Sequence, residues 1–294
     1  MTKLIKISVL FIICLNCTTS FALQTTNTKT EAASPTPFTV DITGEGQPIL
    51  YLPGFATPGT IWTETVTHVN LDRKSYLFSY AGFNGNPPIA MPWYATIKTA
   101  IIDYIKANNM SDVIIVGHSM GGNLAIDIAA ALPNTISKII IVDALACMRD
   151  VMMPNVPADN FYYDSPYNTQ MLEMDTEQFK SMALMMASNM TLNQDKVETI
   201  TNWLVNADRK TWVYGYTDLL KLDLRPILSK VQCQTLILGA SFPDANLAEQ
   251  NYKKQYANLP NKTIVMASNS KHFIMFDQPD WFYKTVTNFL IDEK

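Results

Sequence analysis

The chain has 294 residues, 48% hydrophobic and 16% charged, enough apolar material for one large core, so a single domain with an insertion is as plausible as two small domains. Its formal net charge of -4, with no basic cluster, excludes nucleic acid as a partner, because such binding depends on neutralising phosphates with Lys and Arg. Nothing in the sequence implies an obligate protein partner.

The amino terminus reads as a targeting segment. Lys3 and Lys6 precede an apolar run from Ile7 to Leu15, then polar residues, then Ser20-Phe21-Ala22. Small residues at the first and third places of that triplet suit signal peptidase, so residues 1–22 are expected to be a signal peptide cleaved after Ala22. The mature protein is then secreted or periplasmic; a retained anchor, or a lipoprotein through Cys14 or Cys17, is the alternative. Residues 23–37 are rich in Thr, Ser, Asn and Ala without periodicity and read as a flexible leader to a folded domain over 38–294.

Within that domain, short apolar runs alternate with helical patterns. Strands are expected at Phe38 to Ile42, Pro48 to Leu52 and Ser75 to Tyr80. Behind Pro92, a good first-turn residue, Ile97, Ile101, Ile102 and Ile105 recur at helical spacing over Trp93 to Asn108. Val113 to Val116 is a compact strand, and Asn123 to Leu132 an Ala-rich helix stopped by Pro133. Further strands follow at Ile139 to Val142, Thr235 to Leu238 and Ile264 to Ala267, before a final helix over Pro279 to Ile291. This alternation predicts an α/β fold: a mostly parallel central sheet covered by helices on both faces. Cys147 and Cys233 then fall at opposite ends of neighbouring strands, beyond the roughly 7 Å Cα separation a disulfide tolerates, and both are expected to be buried thiols.

The alternation lapses between about 146 and 230. Nine of the fifteen methionines lie in this stretch, and helical patterns run over Thr176 to Met190 and Gln194 to Asn206. We read it as a helical lid inserted above the sheet, because strands resume directly after it.

Gly117-His118-Ser119-Met120-Gly121-Gly122 sits between a strand and a helix. A sharp strand-to-helix turn thrusts a Ser hydroxyl above a sheet, and small flanking residues avoid clashes in that turn. The helix start behind it adds unpaired N–H groups and positive potential for a developing oxyanion. Ser119 is therefore the candidate nucleophile. Of the three histidines, His118 is expected to point away from the hydroxyl, and His68 lies near the end of an early helix, where a surface role suffices. His272, in the loop after the last strand, is the candidate base. The third member is a carboxylate that orients the imidazole. Asp244 is the first choice, following the strand Thr235 to Leu238; Asp143, at the end of the preceding strand, is its rival. Asp277 and Asp280 follow His272 too closely and read as turn and helix-start residues. The backbone N–H groups of Phe55 (or Ala56 next to it) and Met120 are the candidate oxyanion hole. Trp62, Trp93, Met182 and Met186 are candidate substrate-binding residues, Phe83 adding to the same apolar wall, although a Met stripe on a helix more often simply packs into the core.

Taken together, these residues resemble the α/β-hydrolase superfamily, in its branch of capped esterases, lactonases, haloperoxidases and C–C bond hydrolases, from about Phe38 to Leu290. Gly-His-Ser-Met-Gly-Gly is a common elbow there, and Gln278-Pro279 after His272 resembles the branch's last strand-to-helix passage. Two features depart from it. Pro53-Gly54 stands where many members have His-Gly, and Asp244 follows Gly239 by five residues where three are usual. The resemblance implies a serine hydrolase acting on small-molecule esters of small to medium apolar acids through an acyl-enzyme, with no cofactor and no metal. Lactones, amides or C–C bonds are the alternative substrates, and a non-catalytic ligand binder the alternative role. An Asp nucleophile, which epoxide opening and dehalogenation use in this superfamily, is absent.

Overall fold

The computed structural model describes residues 35–69 and 71–292. The expected signal peptide and nearly all of the leader lie outside them. Seven strands form one sheet in the order β1-β3-β2-β4-β5-β6-β7: β1 (Phe38–Thr43), β2 (Gln47–Leu52), β3 (Arg73–Tyr80), β4 (Val113–His118), β5 (Ile136–Val142), β6 (Gln234–Ala240) and β7 (Lys262–Ala267). Only β1 runs antiparallel, pairing with β3; the other pairs are parallel. All seven expected strands are present. Several run longer than the apolar runs that signal them, because β-pairing continues through residues such as Lys74, Lys138 and His118.

The helices are α1 (Thr63–Val69), α2 (Trp93–Ala107), α3 (Met120–Ala131), α4 (Met148–Met152), α5 (Pro166–Glu173), α6 (Thr176–Met190), α7 (Gln194–Val205), α8 (Arg209–Lys221), α9 (Ala245–Gln255), α10 (Ile274–Asp277) and α11 (Pro279–Ile291). On α2, Trp93, Ile97, Ile101 and Ile105 recur every four residues and are all buried. Each such isoleucine contributes about 1.5–3 kcal/mol by leaving water.

The insertion between β5 and β6 comprises α4 to α8. Helices α5 to α8 start where polar side chains can take up free N–H groups: Ser165 accepts from Asn168 N, Asp175 from Gln178 N, Asn193 from Asp195 N and Asp208 from Thr211 N. The insertion is tied to the sheet-bearing core rather than free of it. Asp208 N donates to Gly82 O at 2.8 Å, and Tyr94 N to Asp218 Oδ2 at 3.1 Å. Cys147 is buried and Cys233 partly covered, and among the described residues neither forms a disulfide.

The strand order places the site. After β2 the chain moves to β3 on one side, whereas β4 lies on the other side of β2. Loops leaving the carboxyl ends of β2 and β4 therefore depart in opposite directions and open a crevice between them, the usual ligand position in an open parallel sheet. The segments at that crevice are Pro53 to Ala56 and Ser119.

Candidate active site

Ser119 lies between β4 and α3 with φ 53° and ψ -122°, a conformation that costs a non-glycine residue about 1–3 kcal/mol. Its backbone is held there from both sides. Ser119 N donates to Val142 O at 2.8 Å, and Ser119 O accepts from Gly122 N at 2.8 Å and Asn123 N at 3.2 Å. Close packing dictates the small residues nearby: a methyl group on Gly121 would collide with the Leu52 carbonyl. The loop after β2 crosses just as tightly. A methyl on Gly54 would lie 3.3 Å from Ser119 Cβ and 2.8 Å from His118 Nδ1. Met120 is the first residue of α3, so its N–H has no acceptor within that helix. Gly54, Phe55 and Ala56 line the same cavity as Ser119.

His272 sits in the loop between β7 and α10, and its Nδ1 is 2.6 Å from Asp143 Oδ2. The carboxylate beside the imidazole is thus Asp143, not Asp244. Asp143 follows β5 directly and adopts φ 47°, and its N–H donates to Leu238 O at 2.8 Å. Its Oδ1 accepts from Tyr252 Oη at 2.6 Å and Ala240 N at 2.8 Å. Asp244 is instead the amino-terminal cap of α9. Its carboxylate accepts from Leu247 N at 2.9 Å, and the residue is exposed. The extra residues after Gly239 carry Asp244 into a helix start and away from the imidazole.

Burial alone would raise the Asp143 carboxyl. The hydrogen bond and charge of His272, with the Tyr252 and Ala240 donors, outweigh it and hold the group below the usual carboxylate range. An ionised carboxylate accepts from His272 Nδ1–H, leaving the Nε2 lone pair to take a proton.

His118 is fully buried and points away from solvent. Its Nε2–H donates to the His272 carbonyl at 3.0 Å, and its ring centroid stands 4.6 Å from that of His272. Among the described residues its Nδ1 has no hydrogen-bond partner. Burial, aided by His272, pushes its pKa down to about 3, so it is neutral across the physiological range. His68, as expected, has a surface role: it stacks on Tyr283 and donates from Nδ1 to Glu64 O.

The loop bearing His272 is clipped to the insertion. Asp277 Oδ1 accepts from Thr191 Oγ1 at 2.6 Å and Leu192 N at 2.8 Å, while its Oδ2 accepts from Lys271 N at 2.7 Å. Phe273 N donates to Met190 O at 3.0 Å, and Lys271 Nζ to Ser188 O at 2.7 Å. The carboxylate read from sequence as a turn residue is a bracket joining the α6–α7 turn to the His272 loop.

Ser119, Asp143 and His272 open into a cavity of about 300 Å³. Its far walls are mainly apolar, with Met148, Met186, Met190, Trp203 and Leu204 among them. Of the four expected substrate-binding residues only Met186 is in this wall. Trp62 is buried between Tyr51 and Phe282, and Trp93 packs behind Phe55 with its Nε1–H on Ala81 O at 2.9 Å. Phe83 is likewise buried against Phe55 and Trp93. Met182 is half-buried against the core one turn before Met186. Helical spacing identifies an apolar stripe but not the angle at which the helix settles on the sheet. Trp203, Trp212 and Tyr216 line the cavity and were not anticipated; their sole signal is aromatic content on α7 and α8.

Residues 49–285 match the model of the Alpha/beta hydrolase family. A putative esterase/lipase of Haemophilus influenzae is 22% identical over 207 residues, 67% of each chain. Among solved structures, an esterase from Exiguobacterium antarcticum superposes with a TM-score of 0.70 at 20% identity, covering 87% of this chain and 96% of that one. An enol-lactonase from Burkholderia xenovorans gives a TM-score of 0.70 at 15% identity over 87% and 96% of the respective chains.

Proposed function

This chain belongs to the α/β-hydrolase family, and we propose that it is a serine hydrolase that cleaves carboxylic esters of small to medium apolar substrates through an acyl-enzyme. The observation that carries the reading is the 2.6 Å pair of His272 Nδ1 and Asp143 Oδ2 in the wall of the cavity that holds the Ser119 elbow. A structural ion pair needs no strained serine beside it, nor an apolar chamber in front of it.

In this mechanism Ser119 Oγ attacks the ester carbonyl while His272 Nε2 takes its proton. Asp143 fixes the imidazole and stabilises the cation that forms. The N–H groups of Met120 and Phe55 receive the negative charge developing on the carbonyl oxygen. His272 returns the proton to the leaving alcohol. Water, deprotonated by the same His272, then releases the acid from Ser119. None of these steps calls for a metal or an organic cofactor. Secretion with cleavage after Ala22 belongs to the same reading; the exported protein is expected to begin at Leu23 by terminal sequencing, and an uncleaved chain would count against it.

The test is hydrolysis of a panel of p-nitrophenyl esters and homoserine lactones by the wild type and Ser119→Ala. Serine-dependent turnover of short acyl esters supports the proposal, and preferential ring opening would move the substrate class to lactones. Turnover that survives Ser119→Ala, or none on any member, would refute it.

A further inference from the structure

A second cavity of about 500 Å³ lies within the insertion, against the face of α8 neighbouring the one that lines the catalytic cavity. The register of α8 explains the arrangement. Leu219 faces the catalytic cavity, whereas Val213, Thr217 and Leu220 face the second. Trp212 and Tyr216, one helical turn apart, line both. Their rings are stacked with centroids 5.9 Å apart and planes 7° from parallel, and these two are the residues common to the linings of both spaces. Phe179 holds the Trp212 ring from α6 in an edge-on contact at 5.4 Å.

The second cavity suits a hydrocarbon. Phe161, Tyr162, Met171 and Val213 are among its walls. Its buried amide, Asn168, already donates from Nδ2 to the Tyr162 and Tyr163 carbonyls and to Thr217 Oγ1. Thr217 Oγ1 in turn donates to Val213 O. Polar groups satisfied internally offer little to a polar ligand, and an apolar limb disturbs none of them.

We propose that Trp212 and Tyr216 are the specificity-determining partition of this site. They limit the apolar limb of the substrate to the depth of the catalytic cavity, and the space behind them is a second chamber that takes the distal part of a long acyl chain once the partition is removed. The proposal rests on the ester-hydrolase reading above and adds the residues that set acyl length. Trp212 is well suited to substitution. It is 5% exposed and its Nε1 has no hydrogen-bond partner among the described residues, so replacing it leaves no other polar group there orphaned.

The experiment compares kcat/KM for p-nitrophenyl butyrate and p-nitrophenyl palmitate in the wild type, Trp212→Ala and Tyr216→Ala. The ratio of the two substrates is read, which cancels loss of folded or active protein. The wild type is expected to favour butyrate. The palmitate-to-butyrate ratio is expected to rise about tenfold or more in Trp212→Ala, the discrimination a few methylenes provide in an apolar pocket. Adding Val213→Trp to that variant refills the second chamber and is expected to reverse the gain. A ratio unchanged in both single variants, or a gain that Val213→Trp leaves intact, overturns the proposal. If Trp212→Ala does not fold, Trp212→Leu and Tyr216→Ala carry the same expectations and the same refutation. Calorimetric titration of palmitate into Ser119→Ala, with and without Trp212→Ala, separates the two readings. Tighter palmitate binding without ester hydrolysis in the wild type counts against the hydrolase alone. Ester hydrolysis with unchanged palmitate binding counts against the partition alone.

Discussion

Replacing His118 by Gln is expected to make the folded protein less sensitive to acid. In the native state the imidazole is buried beside His272, and its pKa is pushed from 6.5 down to about 3. An unfolded chain exposes the same ring to water, where it titrates at about 6.5. Between those values the unfolded chain binds a proton that the folded chain refuses, so stability rises with pH and falls on acidification. The penalty is absent at neutral pH, grows below the unfolded pKa by about 1.4 kcal/mol per pH unit, and levels off only near the folded pKa. At about pH 5 it amounts to about 2 kcal/mol relative to about pH 7.5. The folded value lies so far below pH 5 that the unfolded pKa alone sets this figure. Urea unfolding of wild type and His118→Gln at both pH values supplies the assay. The lost hydrogen bond to the His272 carbonyl and any repacking around Gly54 affect both pH values alike and cancel in the double difference. The variant is expected to gain about 2 kcal/mol on the wild type as the pH falls. A stability difference that does not change with pH would show that His118 titrates alike in both states, and would refute the assignment of a buried neutral imidazole.

Three further substitutions probe the base and its supports. Asp143→Asn is expected to lower kcat by about ten-thousandfold, since an amide cannot hold the imidazole in the same tautomer. Asp244→Ala is expected to leave kcat intact and cost about 1 kcal/mol of stability in urea unfolding, the worth of a helix cap; the reverse pattern would return the acid to Asp244. Asp277→Ala removes the acceptor that joins the α6–α7 turn to the His272 loop. It is expected to lower kcat about a hundredfold, and amide hydrogen exchange is expected to rise at Leu192, Asn193 and Lys271. Unchanged exchange at these amides would show that the bracket does not restrain the loop.

The sheet was legible because parallel strands buried on both faces appear as unbroken apolar runs, and Val113 to Val116 and Ile139 to Val142 are such runs. The Ser119 elbow was legible for a related reason: a strand, a tight turn and a helix leave a local signature, and local conformation fixes where the hydroxyl goes. Which of Asp244 and Asp143 lies beside His272 was not, because that depends on how several loops leave the sheet edge together. Asp143 ends β5 as closely as any acid there, but its turn toward His272 depends on a left-handed backbone that sequence spacing does not disclose. Asp244 did carry a local clue to its real work, since an Asp immediately before a helical pattern is a cap signature. The cavity wall was the least legible part. Met182 and Met186 share a stripe on α6, yet the packing of α6 against α7 and α8 brings only the second into the cavity.

Everything proposed for this site depends on Ser119 being the nucleophile, which an organophosphorus reagent probes without any substitution. Incubation with diisopropyl fluorophosphate followed by peptide mass spectrometry is expected to find one phosphorylated residue, Ser119, with loss of esterase activity in step with labelling. Esterase activity that persists while Ser119 is fully modified, or inactivation that accompanies modification elsewhere with Ser119 untouched, would contradict the account.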